Sequence, residues 1–458
     1  MAYDLIFRKK LQLMKSAETP TLLGRVVKAG SVTVLGNGAS QVLRFASNLV
    51  LTRLLFPEAF GLMAIAQSIL TGANLISDVG LSQSVVRSAR GHEPRFLNTV
   101  WTMQVVKGLL LMLAMIIISP VVAKGYHQPA LVWLMPGLGL ASAISGLASM
   151  KIALVNRKIE VGRLTAIELG SQFFGIVVMI VWAWLFPTPW ALVGGNLANA
   201  LGRTVGSQVF LHGPRDRLAW DRSVIREIFT FGGWVMLSST VTFLSGEGRN
   251  LLNAALVDAK AIGLLVLSTT LSLIVWNAIQ SVSGRVLFAA YAEVWRERPQ
   301  NLPAAVERSR RIQLAGGCAV ALIFALAGDR LVGWFYDPRY RAAGAFLQIQ
   351  AVGTCFTFLS ASYTGVLWAI GRAGLSTLLL AVQVMIMGVL IVAGDILGGP
   401  VGLVAGTALS GLLMYPVTAA AYARLGLFQP KTDWLPLLLG ALLSLYVYRF
   451  GSWHHISL

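Results

Sequence analysis

Runs of apolar residues long enough to cross a bilayer follow one another along almost the whole chain. They fall at residues 31–55, 60–82, 97–121, 129–150, 164–187 and 189–211, then at 230–254, 261–284, 312–334, 345–370, 373–396, 399–423 and 433–449. A helix needs roughly 20 apolar residues to span the hydrocarbon. The pattern therefore predicts an all-α polytopic membrane protein of 12 to 13 transmembrane helices. The last run is short and contains Pro436, which suits either a span or an interfacial helix. Composition agrees, with 56% hydrophobic and 12% charged residues and a mean hydropathy of +0.71, which exclude a soluble domain. A net charge of +18 would suggest nucleic acid in a soluble protein, but between membrane spans it is read by its placement. No nucleic-acid partner is expected, and membrane lipids surround the chain.

The placement of Lys and Arg tests this segmentation, because cytoplasmic connections carry the excess. With the N-terminus inside, external connections hold only Arg53, Lys124, Arg249, Lys260, Arg330, Arg339, Arg341 and Arg449, and Arg44, Lys107 and Arg203 fall within spans; the rest of the 37 basic residues lie on the cytoplasmic side. The polar stretch at 212–229 divides six runs from the remainder. The expected organisation is a cytoplasmic amphipathic segment over 1–30, a six-helix lobe over 31–211, a cytoplasmic linker over 212–229, a second six-helix lobe over 230–424 and a tail over 425–458 that holds the last run. A gap-free offset of 202 aligns Gly30 with Gly232, Asn48 and Leu49 with Asn250 and Leu251, Leu54 with Leu256, and Gly61 and Leu62 with Gly263 and Leu264. That predicts a parallel repeat, two lobes related by a pseudo-two-fold axis along the membrane normal, as in transporters that rock around a central site.

The first run carries the polar chemistry. Asn37, Gln41, Arg44 and Asn48 follow at spacings of four, three and four, so they share one helical face. A guanidinium near mid-membrane costs about 2.5–3.5 kcal/mol on insertion scales and usually faces a bundle interior or a watery cavity. Gln67, Thr71, Asn74 and Asp78 repeat the spacing on the second run, and Asn196, Asn199, Arg203 and Ser207 run three, four, four on the sixth. On the eighth, Thr269, Ser272, Trp276, Gln280 and Ser283 form a further stripe, in which Trp276 suits stacking on a sugar ring. At about 1.5 Å per residue, Arg44 lies roughly 20 Å from the cytoplasmic end of its run, Lys107 about 15 Å, Arg203 about 12 Å and Asp78 about 6 Å. Three cations with no acid at their level predict an anionic ligand in the first lobe. Diphosphate fits, since guanidinium groups pair with phosphate oxygens bidentately and an ammonium adds a point charge. Asp78 and Glu168, near span ends, are the candidate proton or cation sites. Duller roles compete: snorkelling for Lys107, helix packing for Arg203 between Gly202 and Gly206, and outer-rim solvation for Glu247 and Arg249. Arg44→Ala is expected to abolish function, and Arg339→Ala, in an external connection, to be tolerated.

Catalytic chemistry has little to stand on. His92, His127, His212, His454 and His455 form no HExxH site, there is no GxxxxGK[ST] loop, and Cys318 and Cys355 have no metal-ligand spacing. No catalytic residue, metal or cofactor is expected. A membrane glycosyltransferase or polymerase would need positioned acids and bases at a solvent-facing site.

The run RLLFPEAFG from Arg53 to Gly61, then DVGLS from Asp78 to Ser82, FGGW from Phe231 to Trp234, the Gly263 and Leu264 pair, and RVLFAAYAE from Arg285 to Glu293 together resemble the polysaccharide transporter family, Wzx-like oligosaccharide flippases of the multidrug, oligosaccharidyl-lipid and polysaccharide exporter superfamily. Ala289 and Leu264 depart from the family's pattern. The resemblance implies a MATE-like fold and a flippase of the bacterial inner membrane that moves undecaprenyl-diphosphate-linked oligosaccharide for O-antigen, capsule or exopolysaccharide assembly by alternating access. It also implies service to a polysaccharide polymerase and chain-length machinery. Within the superfamily, a peptidoglycan-precursor flippase and a drug or ion antiporter are the alternatives. An antiporter for cationic drugs should offer carboxylates to its substrate, which this sequence does not.

Overall fold

The computed structural model describes residues 22–88, 90–158, 161–282 and 287–451, and every regular element among them is helical. The first half runs through α1 (Leu22–Leu54), α2 (Pro57–Ile76), a short α3 (Leu81–Arg87), α4 (Pro94–Gly125), α5 (Leu131–Gly146), a short α6 (Lys151–Lys158), α7 (Val161–Leu185) and α8 (Trp190–Phe210). The second comprises α9 (Arg222–Ser245), α10 (Glu247–Leu256), α11 (Ala259–Val282), α12 (Phe288–Glu297), α13 (Leu302–Phe335), α14 (Ala342–Ala361), α15 (Thr364–Ala369), α16 (Ala373–Ala423) and α17 (Pro430–Phe450). Among the described residues, most of each apolar run falls on helix. Six stretches among the described residues are long and apolar enough to cross a bilayer. Of the amphipathic segment expected over 1–30, residues 1–21 lie outside the described residues.

Not every run is a single straight helix: the second ends at Ile76 before α3, and the tenth divides into α14 and α15. The seventh breaks at Gly246 (φ −105°, ψ −82°), where α9 ends and α10 begins. In α16, Gly398 and Gly399 (φ +55°, ψ −144°) leave the helical region, a conformation open to glycine and closed to most side chains. Pro400 follows and has no N–H to continue the ladder. The two arms then fold back on each other, with a Cβ built on Gly394 only 2.2 Å from the Gly402 carbonyl oxygen.

Small residues set the helix approaches, as they must where lipid gives helices no hydrophobic reason to associate. The closest approach joins the halves. A Cβ on Gly61 of α2 would lie 1.9 Å from the Ala259 carbonyl oxygen of α11, and one on Gly263 of α11 would lie 1.9 Å from the Pro57 carbonyl oxygen of α2. Adding 202 turns Gly61 into Gly263 and Pro57 into Ala259, so this is one contact made twice. The same offset carries the end of α1 at Leu54 onto the end of α10 at Leu256, and the start of α2 onto that of α11.

Two loops complete the junction at this end of the molecule. From the second half, the Tyr340 hydroxyl donates to the Leu55 carbonyl at 3.0 Å. Arg339, bonded to Asp337 at 2.8 Å, donates to the carbonyl of Arg53 at 2.9 Å and sits 4.7 Å over the Phe56 ring. From the first half, the Tyr126 hydroxyl donates to the Leu251 carbonyl of α10 at 3.3 Å. The last carbonyls of a helix have no partner of their own, and Arg339 supplies one to Arg53 at the end of α1. Arg339 is thus not the dispensable loop residue its position suggests.

The last helix is anchored by charge. Arg310 of α13 and Asp433 of α17, fully buried, pair at 2.8 Å; Arg310 also donates to Tyr363, Ser362 and the Leu359 carbonyl, and Asp433 accepts from Tyr415. Every lone pair and N–H accounted for here belongs to the protein, as a buried pair requires.

Candidate functional site

In the first half, α2, α4, α5 and α8 enclose a cavity of about 360 Å³, lined by Gln67, Asn74, Gln104, Lys107, Asn196, Asn199 and Arg203 among others. Six of the residues singled out from the sequence, five from the stripes and Lys107, therefore meet in one place. The wall holds two cations and no carboxylate.

Local packing explains the geometry. Gly108 and Gly146 bring α4 against α5: a Cβ on either would come within about 3 Å of the partner's backbone, 2.9 Å for Gly108 and 3.0 Å for Gly146. Gln104 then donates to the carbonyls of Gly146 and Ala148, both at 3.0 Å, closing the end of α5. Lys107, half-buried, donates to the Asn74 carbonyl at 3.1 Å, which leaves two N–H groups for a ligand. Asn74 and Asn196 turn their amide nitrogens back to Leu70 and Leu192. Their amide oxygens stay free of those bonds.

Arg203 corrects one expectation. Glu168 of α7 stands 3.7 Å from its guanidinium, both side chains about half exposed, so this cation does have an acid at its level. The run-end position of Glu168 hid this, because depth was measured along each run separately. Asp78 is also relocated: α2 ends at Ile76, and the Asp78 carboxylate accepts from the Gly80 amide at 3.0 Å in the following turn. Ser207 at the end of the α8 stripe is buried, bonded to Thr204 and Ser149.

The stripe on α1 lies elsewhere. Asn37 and Arg44 are exposed, Gln41 and Asn48 half-buried, and none of the four lines this cavity. Arg44 reaches Ser40 at 3.4 Å, and Ser40 exchanges hydrogen bonds with Gln172 of α7 at 2.6 and 3.0 Å. The side chains of Trp276 and Gln280 lie outside the described residues, while Thr269 and Ser272 of the same stripe bond to Gln350.

A larger cavity of about 800 Å³ occupies the second half, between α10, α11, α14 and α16. Arg249, Asn250 and Asn253 line it. Sequence reasoning assigned Arg249 to the outer rim. The signal that would have found the cavity is the spacing of Arg249 and Asn253, four apart on α10, with Asn250 three before Asn253.

Comparison with known proteins follows from this geometry. The family model described as "Polysaccharide biosynthesis protein" matches residues 50–345. Lipopolysaccharide biosynthesis protein WzxC of Escherichia coli (strain K12) is 24% identical over 270 residues, 58% of this chain and 52% of its own length. Teichuronic acid biosynthesis protein TuaB of Bacillus subtilis (strain 168) is 22% identical over 321 residues, 66% of this chain and 63% of its own. The matches thus span between about half and just under two thirds of these relatives. Among solved structures, the lipid II flippase MurJ in an inward closed conformation superposes with a TM-score of 0.68 at 10% identity, over 91% of this chain and 92% of that one. An inward-facing multidrug resistance MATE family transporter gives 0.63 at 14%, over 84% and 95%. What they share with this chain is an all-helical, MATE-like fold.

Proposed function

The chain belongs to this polysaccharide biosynthesis protein family, and from that premise we propose that it is a flippase for undecaprenyl-diphosphate-linked oligosaccharide in the bacterial inner membrane. It is a transporter, not an enzyme. The observation that carries the reading is the first-half cavity, whose lining presents Lys107 and Arg203 with five carboxamides and no acid. Glu168 reaches only Arg203, at 3.7 Å and from outside the lining, so part of the countercharge is left to the ligand. The diphosphate supplies it, the carboxamides of Gln67, Asn74, Asn196 and Asn199 bond its oxygens and the first sugar, and the lipid tail stays in the bilayer. Arg44, with Asn37, Gln41 and Asn48 along the same helix face, is the further cation the headgroup meets on its way. Trp276 and Gln280 serve the sugars.

Glu168 gives this binding a link to an ion. Its pairing with Arg203 at 3.7 Å is long and half exposed, so a bidentate diphosphate displaces it. The released carboxylate then takes a proton or a cation, with Asp78 as the second such group. With the N-terminus cytoplasmic, the junction of Tyr340, Arg339 and Tyr126 lies on the external side and the ligand enters from inside. A polymerase and chain-length machinery receive the product.

Transfer of a fluorescent undecaprenyl-diphosphate oligosaccharide between leaflets of proteoliposomes tests this. Lys107→Gln and Arg203→Gln are each expected to lower the rate by more than about tenfold, as lost charge-assisted bonds do, and Arg44→Ala to lower it as well. Transfer unchanged in both cavity variants, with protein correctly inserted, defeats the assignment. The likeness of fold to a lipid II flippase favours one second reading, a peptidoglycan precursor carried on the same diphosphate. Substituting lipid II for the oligosaccharide in the same vesicles decides between them.

A further inference from the structure

The stretch that joins the two halves contains no regular element over 211–221, yet it is tied down along its length. The Asp216 carboxylate accepts from the Ser149 hydroxyl at 2.5 Å and the Met150 amide at 3.3 Å. The Arg217 amide donates to the Asn98 side chain at 3.1 Å, and the Ala219 amide to the Thr102 hydroxyl at 3.0 Å. Asp221 pairs with Arg95 at 3.1 Å. Arg95, Asn98 and Thr102 lie on successive turns of α4, so the linker is a strap laid against the start of that helix.

What the strap turns outward is of another kind. Arg215, Arg217, Leu218, Trp220 and Arg222 are exposed, Leu218 by 73% and Trp220 by 63%. Among the described residues, the guanidinium groups of Arg215, Arg217 and Arg222 make no hydrogen bond or ion pair. Both acids of the strap, Asp216 and Asp221, are spent on the first half, which leaves the outer surface cationic and apolar at once. The bonds to α4 also fix its depth. Val106, four residues past Thr102 and so about 6 Å further along the helix, is the first of the large apolar residues that α4 exposes, with Leu109 and Leu110 following. At its other end the strap leaves α8 directly after the exposed Val209 and Phe210. The lipid-facing band therefore reaches the strap from both ends, and Leu218 and Trp220 continue it at the level where tryptophan and arginine meet headgroups. In extended chain, Arg215 and Arg217 stand about 7 Å apart on one edge, close enough for both guanidinium groups to reach one phosphate.

We propose that this strap is a docking surface for acidic phospholipid, in which Leu218 and Trp220 insert at the hydrocarbon boundary while Arg215, Arg217 and Arg222 pair with anionic headgroups. A soluble acidic segment would answer the charge and leave the two apolar side chains uncovered. The surface is separate from both cavities and independent of what they carry. It also bears on the joint between the halves, because the strap runs straight into α9, whose Val224 and Ile228 are buried in one cluster with Leu97 and Val100 of α4.

The test places a nitroxide at Leu218→Cys in the full chain, with the buried Cys318 and Cys355 replaced by Ala. The protein is reconstituted in vesicles of phosphatidylcholine alone and of phosphatidylcholine with phosphatidylglycerol in equal parts. Collisions with oxygen report immersed label, and collisions with a water-soluble nickel chelate report wetted label. The ratio of immersed to wetted label is expected to rise by more than about tenfold in the mixed vesicles, as three basic residues near an anionic surface allow. It should fall back at about 1 M salt, where the screening length shrinks to about 3 Å. Joint replacement of Arg215, Arg217 and Arg222 by Gln is expected to abolish the gain, and joint replacement by Lys to keep most of it. The salt arm needs no change in the arginines, so it decides the matter even where the Gln variant folds poorly. Label wetted in both vesicles overturns the proposal and gives the strap to a soluble acidic partner. Equal immersion in both, or a gain that survives salt or the Gln substitutions, overturns the pairing with acidic lipid.

Discussion

Arg310 shows how differently one residue type is used in this chain. Its guanidinium is sealed inside the second half against Asp433, whereas Arg203 and Arg249 line cavities. Removing one partner of a buried pair leaves a bare charge, so Arg310→Met should cost about 3–5 kcal/mol, and the double variant Arg310→Met with Asp433→Leu should recover most of that loss. Thermal unfolding in nanodiscs reads both. Asp221 gives a pH dependence of opposite visibility, at the surface. It caps α9, accepting from the Ser223 hydroxyl at 2.7 Å and amide at 2.9 Å, and pairs with Arg95 at 3.1 Å. The Ser223 bonds first, then Arg95, hold its carboxyl below the usual range. A depressed folded value means its contribution is present above the ordinary value of about 3.9 and is lost as the pH falls below it. Cleavage of the 212–221 linker by an acid-active protease should therefore rise as pH drops through that range, and Asp221→Asn should flatten the rise. At this scale the sequence was legible where residues on one helix face lead to one cavity, as Gln67 and Asn74 do. It was silent on Glu168 meeting Arg203, because that contact depends on how α7 packs against α8, which no single-helix periodicity encodes.

At the scale of elements, the crossing of α2 and α11 is the tightest constraint. With carbonyl oxygens 1.9 Å from either built Cβ, Gly61→Val or Gly263→Val must push the helices apart. Each is expected to loosen the junction between the halves, seen as faster hydrogen exchange at the ends of α1 and α10, while Gly38→Ala, which meets nothing within 4 Å, should leave it alone. The positions of the helices were plain from the apolar runs. Their interruptions were half legible: the boundary between the runs at 373–396 and 399–423 falls at Gly398, whereas Gly246 lies inside the single run read at 230–254. What breaks the chain at Gly399 is the fold-back of two arms that only tertiary contact rewards.

For the whole molecule, the side chains exchanged between halves hold one end shut. Combining Tyr340→Phe, Tyr126→Phe and Arg339→Ala removes the cross-half bonds to Leu55, Leu251 and Arg53. Spin labels at the exposed positions Lys124 and Lys260 are expected to show a longer distance, or a second and longer population, in the triple variant. An unchanged distribution would mean that the glycine crossing alone closes this end. The offset of 202 residues made the two-lobe plan visible in advance, and the crossing of Gly61 with Gly263 turns that numerical coincidence into a physical contact.

The repeat is nevertheless unequal at its first spans. α1 is one unbroken helix of 33 residues, and its counterpart is cut at Gly246, the position the offset assigns to Arg44. A continuous rod transmits torque along its length, and a severed one absorbs it at the joint. Any tilt shared by the two lobes is therefore delivered as a lever stroke through α1 and spent as bending between α9 and α10, so the machine has a stiff arm and an elbow, built from what began as the same part.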